Sequence, residues 1–298
     1  MRKIVIIGAG ALGKCMAGIL SKQTSIIMCE RNSKSRQQIS KNGLIIKEGN
    51  GTRKVNIQTV ATISQLQSHK IDLLIFATKI MDLRRAVEEA VGLNPRYVFL
   101  PQNGIFDFNF VNRIFRNGHI CRGVTTMACE EKDRGEVELF YHGRMYVGGD
   151  GARYISKLFR NAGIEAKAYR NPDGPIWAKL IFSAVMNPLP ILTGKGYDVL
   201  RNDTEVWKLV KKAVEEGRMV ARVVGVRLAF DPMLLIDMVR IGDLAGIKHR
   251  GSIVHDLSSG RSTELRYITG KIVNLAHRVG VKIPALEYIL AKAEKAGA

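Results

Sequence analysis

Cysteine is scarce in this chain. Its 298 residues include four, Cys15, Cys29, Cys121 and Cys129, and no two of them stand at the C-x-x-C spacing of a zinc site or redox motif. A disulfide-stapled scaffold is thereby excluded; reduced, buried thiols in a cytosolic protein are expected, with no metal. Long apolar runs are missing as well. The longest, Leu180–Leu192, contains Asn187, Pro188 and Pro190 and falls short of the ~18 residues that cross a bilayer. The first residues already read as a strand, so no signal peptide is expected. These absences lead us to expect a cytoplasmic protein without a membrane partner. Internal repeats and low-complexity tracts are absent too. Acidic residues are outnumbered, 27 against 46 Lys and Arg, for a net charge of +19. Such a balance raises the question of nucleic acid. The excess is spread evenly, however, with 22 basic against 13 acidic residues in 1–150 and 24 against 14 in 151–298. Aromatics do not interleave with it. That pattern reads as a solvated surface that attracts anionic ligands, and no nucleic-acid partner is expected.

What is present starts with Gly8-Ala9-Gly10-Ala11-Leu12-Gly13. The run follows the apolar stretch Ile4–Ile7 and opens an amphipathic segment, Ala11–Lys22. In that strand–turn–helix setting, G-x-G-x-x-G binds a dinucleotide: one glycine makes the turn, one admits the pyrophosphate, one lets helix pack on strand. The helix N-terminus then receives the phosphates. Strands are expected at Ser25–Cys29, Ile71–Ala77 and Tyr97–Leu100, with a helix at Asp82–Val91 between the last two. A hairpin, Leu44–Lys47 with Lys54–Gln58, turns at Gly49-Asn50-Gly51. Apolar strands alternating with helices indicate a parallel sheet covered on both faces. Short strands follow at Glu136–Phe140 and Arg144–Val147, then a helix near Ala152–Ala162. Asn171–Pro175 reads as a rigid connector. Beyond it, periodic apolar positions in Thr204–Val224, Pro232–Ile241, Leu265–Val279 and Pro284–Lys295 predict a mostly helical second half.

Four places could carry chemistry. Glu30 and Arg31 end the second strand, about twenty residues after the glycines, where an acid accepts from the ribose of NAD and an arginine meets the 2′-phosphate of NADP. Arg31 favours NADPH, and Glu30 leaves NADH open. Lys79 and Asn103 follow strands on the ligand-binding edge of such a sheet. On the apolar helix Ile176–Met186, Lys179 and Ser183, continued by Asn187, stand at i, i+4 and i+8 on one face. A polar stripe on a buried helix is costly unless it lines a wet cavity, although Lys179 could also snorkel to solvent. Finally, Ser252, Asp256 and Glu264 cluster in sequence. Glu264 alternatively serves the first turn of a helix beginning near Thr263 and capped by Ser262.

Together these pieces resemble the ketopantoate reductases. The match lies in Gly8–Gly13, Arg31, Thr78-Lys79, Gln102-Asn103-Gly104, Trp177-Ala178-Lys179-Leu180, Asn187-Pro188-Leu189, Ser252 with Asp256, and Arg261–Glu264. The resemblance implies an α/β fold: a Rossmann NADP-binding domain over 1–171 and an all-helical substrate-binding domain of the 6-phosphogluconate dehydrogenase type over 172–298. It implies NADPH-dependent reduction of 2-dehydropantoate to pantoate, on the route to coenzyme A. By position, Lys179 matches the proton donor and Asn103 a residue touching both nicotinamide and substrate. Ser183, Asn187 and Ser252 fall at substrate-binding positions. Glu264 matches an acid beside cofactor and substrate, and Lys79 and Cys129 match cofactor-lining positions. The small-molecule partner is a 2-oxo acid, and a homodimer is left open. Ser183 and Tyr197 replace asparagines usual in the family. That leaves a reductase of another 2-oxo acid as an alternative reading; a nucleotide-sensing protein without catalysis is a second.

Overall fold

Branched and long aliphatic side chains with no charge among them turn Ile4–Ile7, Ile26–Cys29, Leu73–Phe76 and Val98–Leu100 into strands buried on both faces. The computed structural model, which describes residues 3–242, 251–258, 260 and 262–298, assembles them into one eight-stranded sheet. Its order across the sheet is Glu165–Tyr169, Arg144–Gly148, His119–Thr125, Tyr97–Leu100, Leu73–Phe76, Lys3–Ile7, Ser25–Cys29, Gln58–Val60. Every pairing is parallel except that between Arg144–Gly148 and His119–Thr125. The strand order reverses beside Lys3–Ile7, which places the glycine run and the loops after Phe76 and Leu100 at the carboxyl edge, where open α/β sheets bind ligands.

A second sheet of four strands joins Gly51–Val55, Leu44–Glu48, Glu136–Tyr141 and Ala128–Asp133. The predicted hairpin is there, with Leu44 opposite Val55 and Glu48 opposite Gly51 around a two-residue turn. Its second strand ends at Val55, earlier than expected, and Gln58–Val60 goes instead to the edge of the large sheet. The neighbouring strands Glu136–Tyr141 and Arg144–Gly148 part company, one to each sheet. Sequence reasoning missed His119–Thr125, Ala128–Asp133 and Glu165–Tyr169. The last two carry too many charged residues to show an apolar strand pattern.

The chain divides into two units, one running to Gln102 and including Asp107–Pro172, the other Asn103–Phe106 with Asp173 onward. The expected boundary after residue 171 therefore moves in two ways. Pro172 stays with the first unit, where its Cβ lies 2.5 Å from the place a Cβ on Gly148 would take. The short segment Asn103–Phe106 joins the helical unit because Ile105 packs into that unit's core. The connector reading of Asn171–Pro175 is also corrected. Asp173, Gly174 and Pro175 form the first turn of the helix Asp173–Met186, where an acid complements the dipole and proline's missing N–H is no loss.

That helix is the axis of the second unit. Leu180, Ile181, Ala184 and Val185 are buried among Thr204–Val223, Pro232–Ile241, Thr269–Val279 and Pro284–Lys295. Gly217 lets the longest of these approach closely, since a Cβ there would meet Ile181 Cγ2 at 2.9 Å. Thr269 Oγ1 donates to Ala184 O at 2.9 Å and ties a third helix to the axis. Pro188 and Pro190 do not end the apolar stretch, because Pro188 caps the short helix Leu189–Thr193 and Pro190 sits in its first turn. Asp173–Thr193 is thus long and apolar enough to cross a membrane by length and composition, contrary to the sequence reading. Most of it is buried inside the helical unit, which accounts for its apolarity.

Candidate active site

In the first unit the glycines divide their labour by space. Gly8 has φ of 102°, and a Cβ there would stand 2.5 Å from Thr78 N. At Gly13 a Cβ would lie 1.9 Å from Gly8 O, so only glycine lets the helix start against the turn. Gly10 is different: nothing lies within 4 Å of its added Cβ, so the space above the helix N-terminus is open. Gly10 caps the helix Ala11–Leu20 and, having no side chain, leaves its first N–H groups without a side-chain cap. Ala9, Ala11 and Leu12 pack against the core beneath. Among the described residues, the buried oxygens without a hydrogen-bond partner include Thr78 Oγ1 and Gln102 Oε1. The Gln102 amide is itself fixed, Nε2 donating to Phe76 O at 2.5 Å and to Thr78 O at 3.2 Å. Lys79 is the N-cap of the helix Ile80–Glu89. An open anion-accepting helix end beside fixed, unsatisfied polar atoms fits a dinucleotide.

Glu30 and Arg31, adjacent in sequence, have different surroundings. The Glu30 carboxylate is nearly buried, accepts from Asn32 N at 2.9 Å and lies 3.7 Å from Lys14 Nζ. Lys14 is itself almost wholly buried and also pairs with Glu131. Arg31 extends into solvent, with Nη2 2.5 Å from Glu89 Oε2. Arg36 Nη1 donates to the carbonyls of Glu30 and Arg31 at 2.8 and 2.7 Å, fixing the backbone at this corner. Lys14 was not among the sequence candidates. Cys129 packs against the core that holds Cys15. The neighbouring Cys129 thiol, aided by burial, pushes the Cys15 thiol up and keeps it protonated.

In the second unit, Lys179 is partly buried on the axial helix, with Nζ 4.2 Å from the centroid of the Phe182 ring. Burial brings its ammonium down from 10.5 to about 8. Ser183, one turn on, is buried, and its Oγ has no hydrogen-bond partner among the described residues. Asn187 N donates to Ser183 O at 3.0 Å, continuing the turn geometry that stacks the three. Asn187 lines one small cavity with Asp256, Glu264 and Thr269, closed by Ile253, Leu265 and Ile268. Residues far apart in sequence thus meet there. Asn103 is partly buried in the segment that joins this unit. Tyr197 is nearly buried, and its phenol is pushed above the ordinary range by desolvation. Ser252 falls in the helix Gly251–Ser258; its side chain, like Arg261, lies outside the described residues. Among the described residues the cap assigned to Ser262 is not made. Thr263 Oγ1 instead accepts from Leu265 N at 3.5 Å, and Glu264 precedes the single turn Leu265–Tyr267.

Among the described residues, no three or more His, Cys, Asp or Glu gather as metal ligands. The chemistry available is an anion- and dinucleotide-accepting edge on one unit; the other carries an ammonium and the Ser183 hydroxyl on one face of its axial helix, and a cavity lined by Asn187, Asp256 and Glu264.

Residues 4–150 match the family model described as ketopantoate reductase PanE/ApbA, and residues 173–296 match that of the ketopantoate reductase PanE/ApbA C terminal. A 2-dehydropantoate 2-reductase of Pyrococcus horikoshii is 27% identical over 296 residues, covering 97% of this chain and 95% of the relative. Among solved structures, a PanE/ApbA family ketopantoate reductase from Ralstonia eutropha shares the fold with a TM-score of 0.86 at 24% identity, over 100% of both chains. A D-mandelate dehydrogenase solved with NADH and anilino(oxo)acetate does so with a TM-score of 0.87 at 24% identity, over 99% of this chain and 98% of that one.

Proposed function

The chain belongs to the ketopantoate reductase family, and from that premise we propose that it reduces 2-dehydropantoate to pantoate with NADPH, Lys179 supplying the proton. The observation that carries this reading is the state of Lys179. A partly buried ammonium brought to about 8 by desolvation remains charged at neutral pH yet releases its proton readily. That is the property a general acid needs. The cofactor supplies a hydride.

The remaining work falls to this chain's residues. Negative charge develops on the C2 oxygen of a 2-oxo acid as it is reduced, and the Lys179 ammonium both stabilises that charge and protonates it. Ser183, with an unpartnered buried hydroxyl, offers a hydrogen bond to a polar substrate group. Asn187 and Glu264, on a shared cavity, orient the substrate's hydroxyl and carboxylate, with Ser252 and Asn103 as further contacts. Fixing those groups supplies the positioning contribution. On the cofactor side, Gly8–Gly13 receive the pyrophosphate, Arg31 meets the 2′-phosphate, and Lys79 and Cys129 line the site.

A second reading has specific support. Ser183 and Tyr197 alter the polar pattern of the site, and the D-mandelate dehydrogenase shares the fold, so a different 2-oxo acid is the competing substrate. Polar contacts decide such discrimination. A panel of 2-oxo acids, including 2-dehydropantoate and an aryl 2-oxo acid, assayed by NADPH oxidation separates the two. The first reading requires the highest kcat/KM for 2-dehydropantoate; a clearly higher value for another acid replaces it with the second.

A further inference from the structure

Lys14 directly follows the third glycine, on a helix whose start is open to ligand. A lysine there reads as a surface residue, yet it is 1% exposed. It lies between two carboxylates: Glu131 from the strand Ala128–Asp133, and Glu30 from the end of Ser25–Cys29. Burying an ammonium this completely is costly unless it is paired. Its partner Glu30 holds the position from which an acid accepts the ribose hydroxyls of NAD and repels the 2′-phosphate of NADP. Here one oxygen of Glu30 accepts from Asn32 N at 2.9 Å and the other lies 3.7 Å from Lys14 Nζ. The carboxylate is therefore turned inward, toward an ammonium that it shares with Glu131. Among the described residues, the side chain of the neighbouring Arg31 is held by a solvent-exposed pair with Glu89, a partner that a phosphate displaces at little cost.

We propose that Lys14 is a positioning residue for cofactor choice: by sequestering Glu30 it removes the feature that would select NADH and leaves Arg31 to select NADPH. The proposal builds on the NADPH reading above. It explains how one corner can carry both the acid of an NAD site and the arginine of an NADP site without conflict. Lys14 touches no ligand in this scheme. It acts through Glu30.

The test is binding of NADP⁺ and NAD⁺ to the intact protein by titration calorimetry, without turnover. Lys14→Met removes the counter-charge at similar length and leaves Glu30 unpaired. NADP⁺ affinity should then fall about tenfold relative to NAD⁺, since an uncompensated carboxylate faces the added phosphate. The double variant Lys14→Met with Glu30→Gln should restore the wild-type ratio to within about threefold, a rescue that a purely structural defect would not give. Glu30→Gln alone keeps Lys14 paired with Glu131 and serves if Lys14→Met does not fold. With Glu30 sequestered, that change leaves NAD⁺ affinity within about twofold, whereas loss of a working ribose ligand costs about tenfold. An unchanged ratio in Lys14→Met, or a tenfold loss of NAD⁺ binding in Glu30→Gln, overturns the proposal. The wild-type ratio tests the NADPH reading separately: tighter NAD⁺ than NADP⁺ binding overturns that reading, while the role of Lys14 stands or falls on the variants alone.

Discussion

Replacing Lys179 with methionine should make the protein more stable and inactive, and the gain in stability should vanish as the pH rises. Burial lowers the ammonium from 10.5 to about 8. At about 1.4 kcal/mol per tenfold, that displacement disfavours the charged form by about 3 kcal/mol in the folded state. The Phe182 ring, 4.2 Å away, returns about 0.5–1 kcal/mol to the cation, and partial exposure trims the figure further. A net penalty of about 2 kcal/mol remains. Below pH 8 both folded and unfolded states are protonated, so the penalty is fully present. Between pH 8 and 10.5 the folded state releases its proton first, the unfolded state binds more protons, and stability rises with pH. Above 10.5 both are neutral and the penalty is gone. Methionine has similar volume and no charge, so it should gain about 2 kcal/mol at pH 7 and little by pH 10.5. Trp177 and Trp207 are the only tryptophans and both lie in the helical unit, so denaturant unfolding followed by their fluorescence reads that unit. In the wild type, kcat/KM should fall above pH about 8 as Lys179, the proposed donor, loses its proton. A Lys179→Met protein no more stable than wild type at pH 7, or one whose advantage ignores pH, would refute the desolvated-ammonium argument.

Three further outcomes follow from geometry. Gly13→Ala places a Cβ 1.9 Å from Gly8 O; it should lower the melting temperature by several degrees, whereas Gly10→Ala, with nothing within 4 Å, should melt like wild type yet bind NADP⁺ about tenfold more weakly by calorimetry. Arg31→Ala should weaken NADP⁺ at least about tenfold more than NAD⁺ while leaving stability within about 0.5 kcal/mol, since its pair with Glu89 is exposed. Glu216, buried on Thr204–Val223, accepts from Ala285 N at 3.0 Å and Leu286 N at 2.9 Å. Glu216→Ala strands those N–H groups at the start of Pro284–Lys295 and should cost about 2–3 kcal/mol in chemical unfolding.

How much of this could be read in advance depends on the range over which each feature is encoded. The glycine turn was legible because strand, turn and helix are contiguous and each glycine answers a contact within the motif or to the next strand. The Lys179, Ser183 and Asn187 stripe was legible for a similar reason, as helical spacing alone puts the three on one face. The start of their helix was misread, since Asp173-Gly174-Pro175 has the composition of a turn and works equally well as a first helical turn. The meeting of Asn187 with Asp256 and Glu264 on one cavity follows from the packing of separate helices, which spacing does not encode. Ser262 and Thr263 are both competent caps, and only the backbone geometry decides between them. Strands such as Ala128–Asp133 escaped because their pairing, not their apolarity, makes them strands.

Lys14 and Lys179 show why that distinction matters for function. Both are lysines on helices whose other residues are largely apolar, and from sequence each could snorkel to solvent. The fold treats them oppositely. Lys14 is closed in by Glu30 and by Glu131, which lies 117 positions later on a strand that sequence reasoning missed; its charge is compensated, and it is suited to holding other groups in place. Lys179 has only an aromatic face for company among the described residues, and desolvation alone accounts for its lowered proton affinity. An unpaired buried ammonium destabilises a fold unless something outside the chain makes use of it. Under the proposed function, a carboxylate-bearing substrate whose carbonyl oxygen gains negative charge during reduction would do so at two points, through its resting anion and through its transition state. The uncompensated lysine is therefore the stronger pointer to chemistry, and the compensated one to specificity.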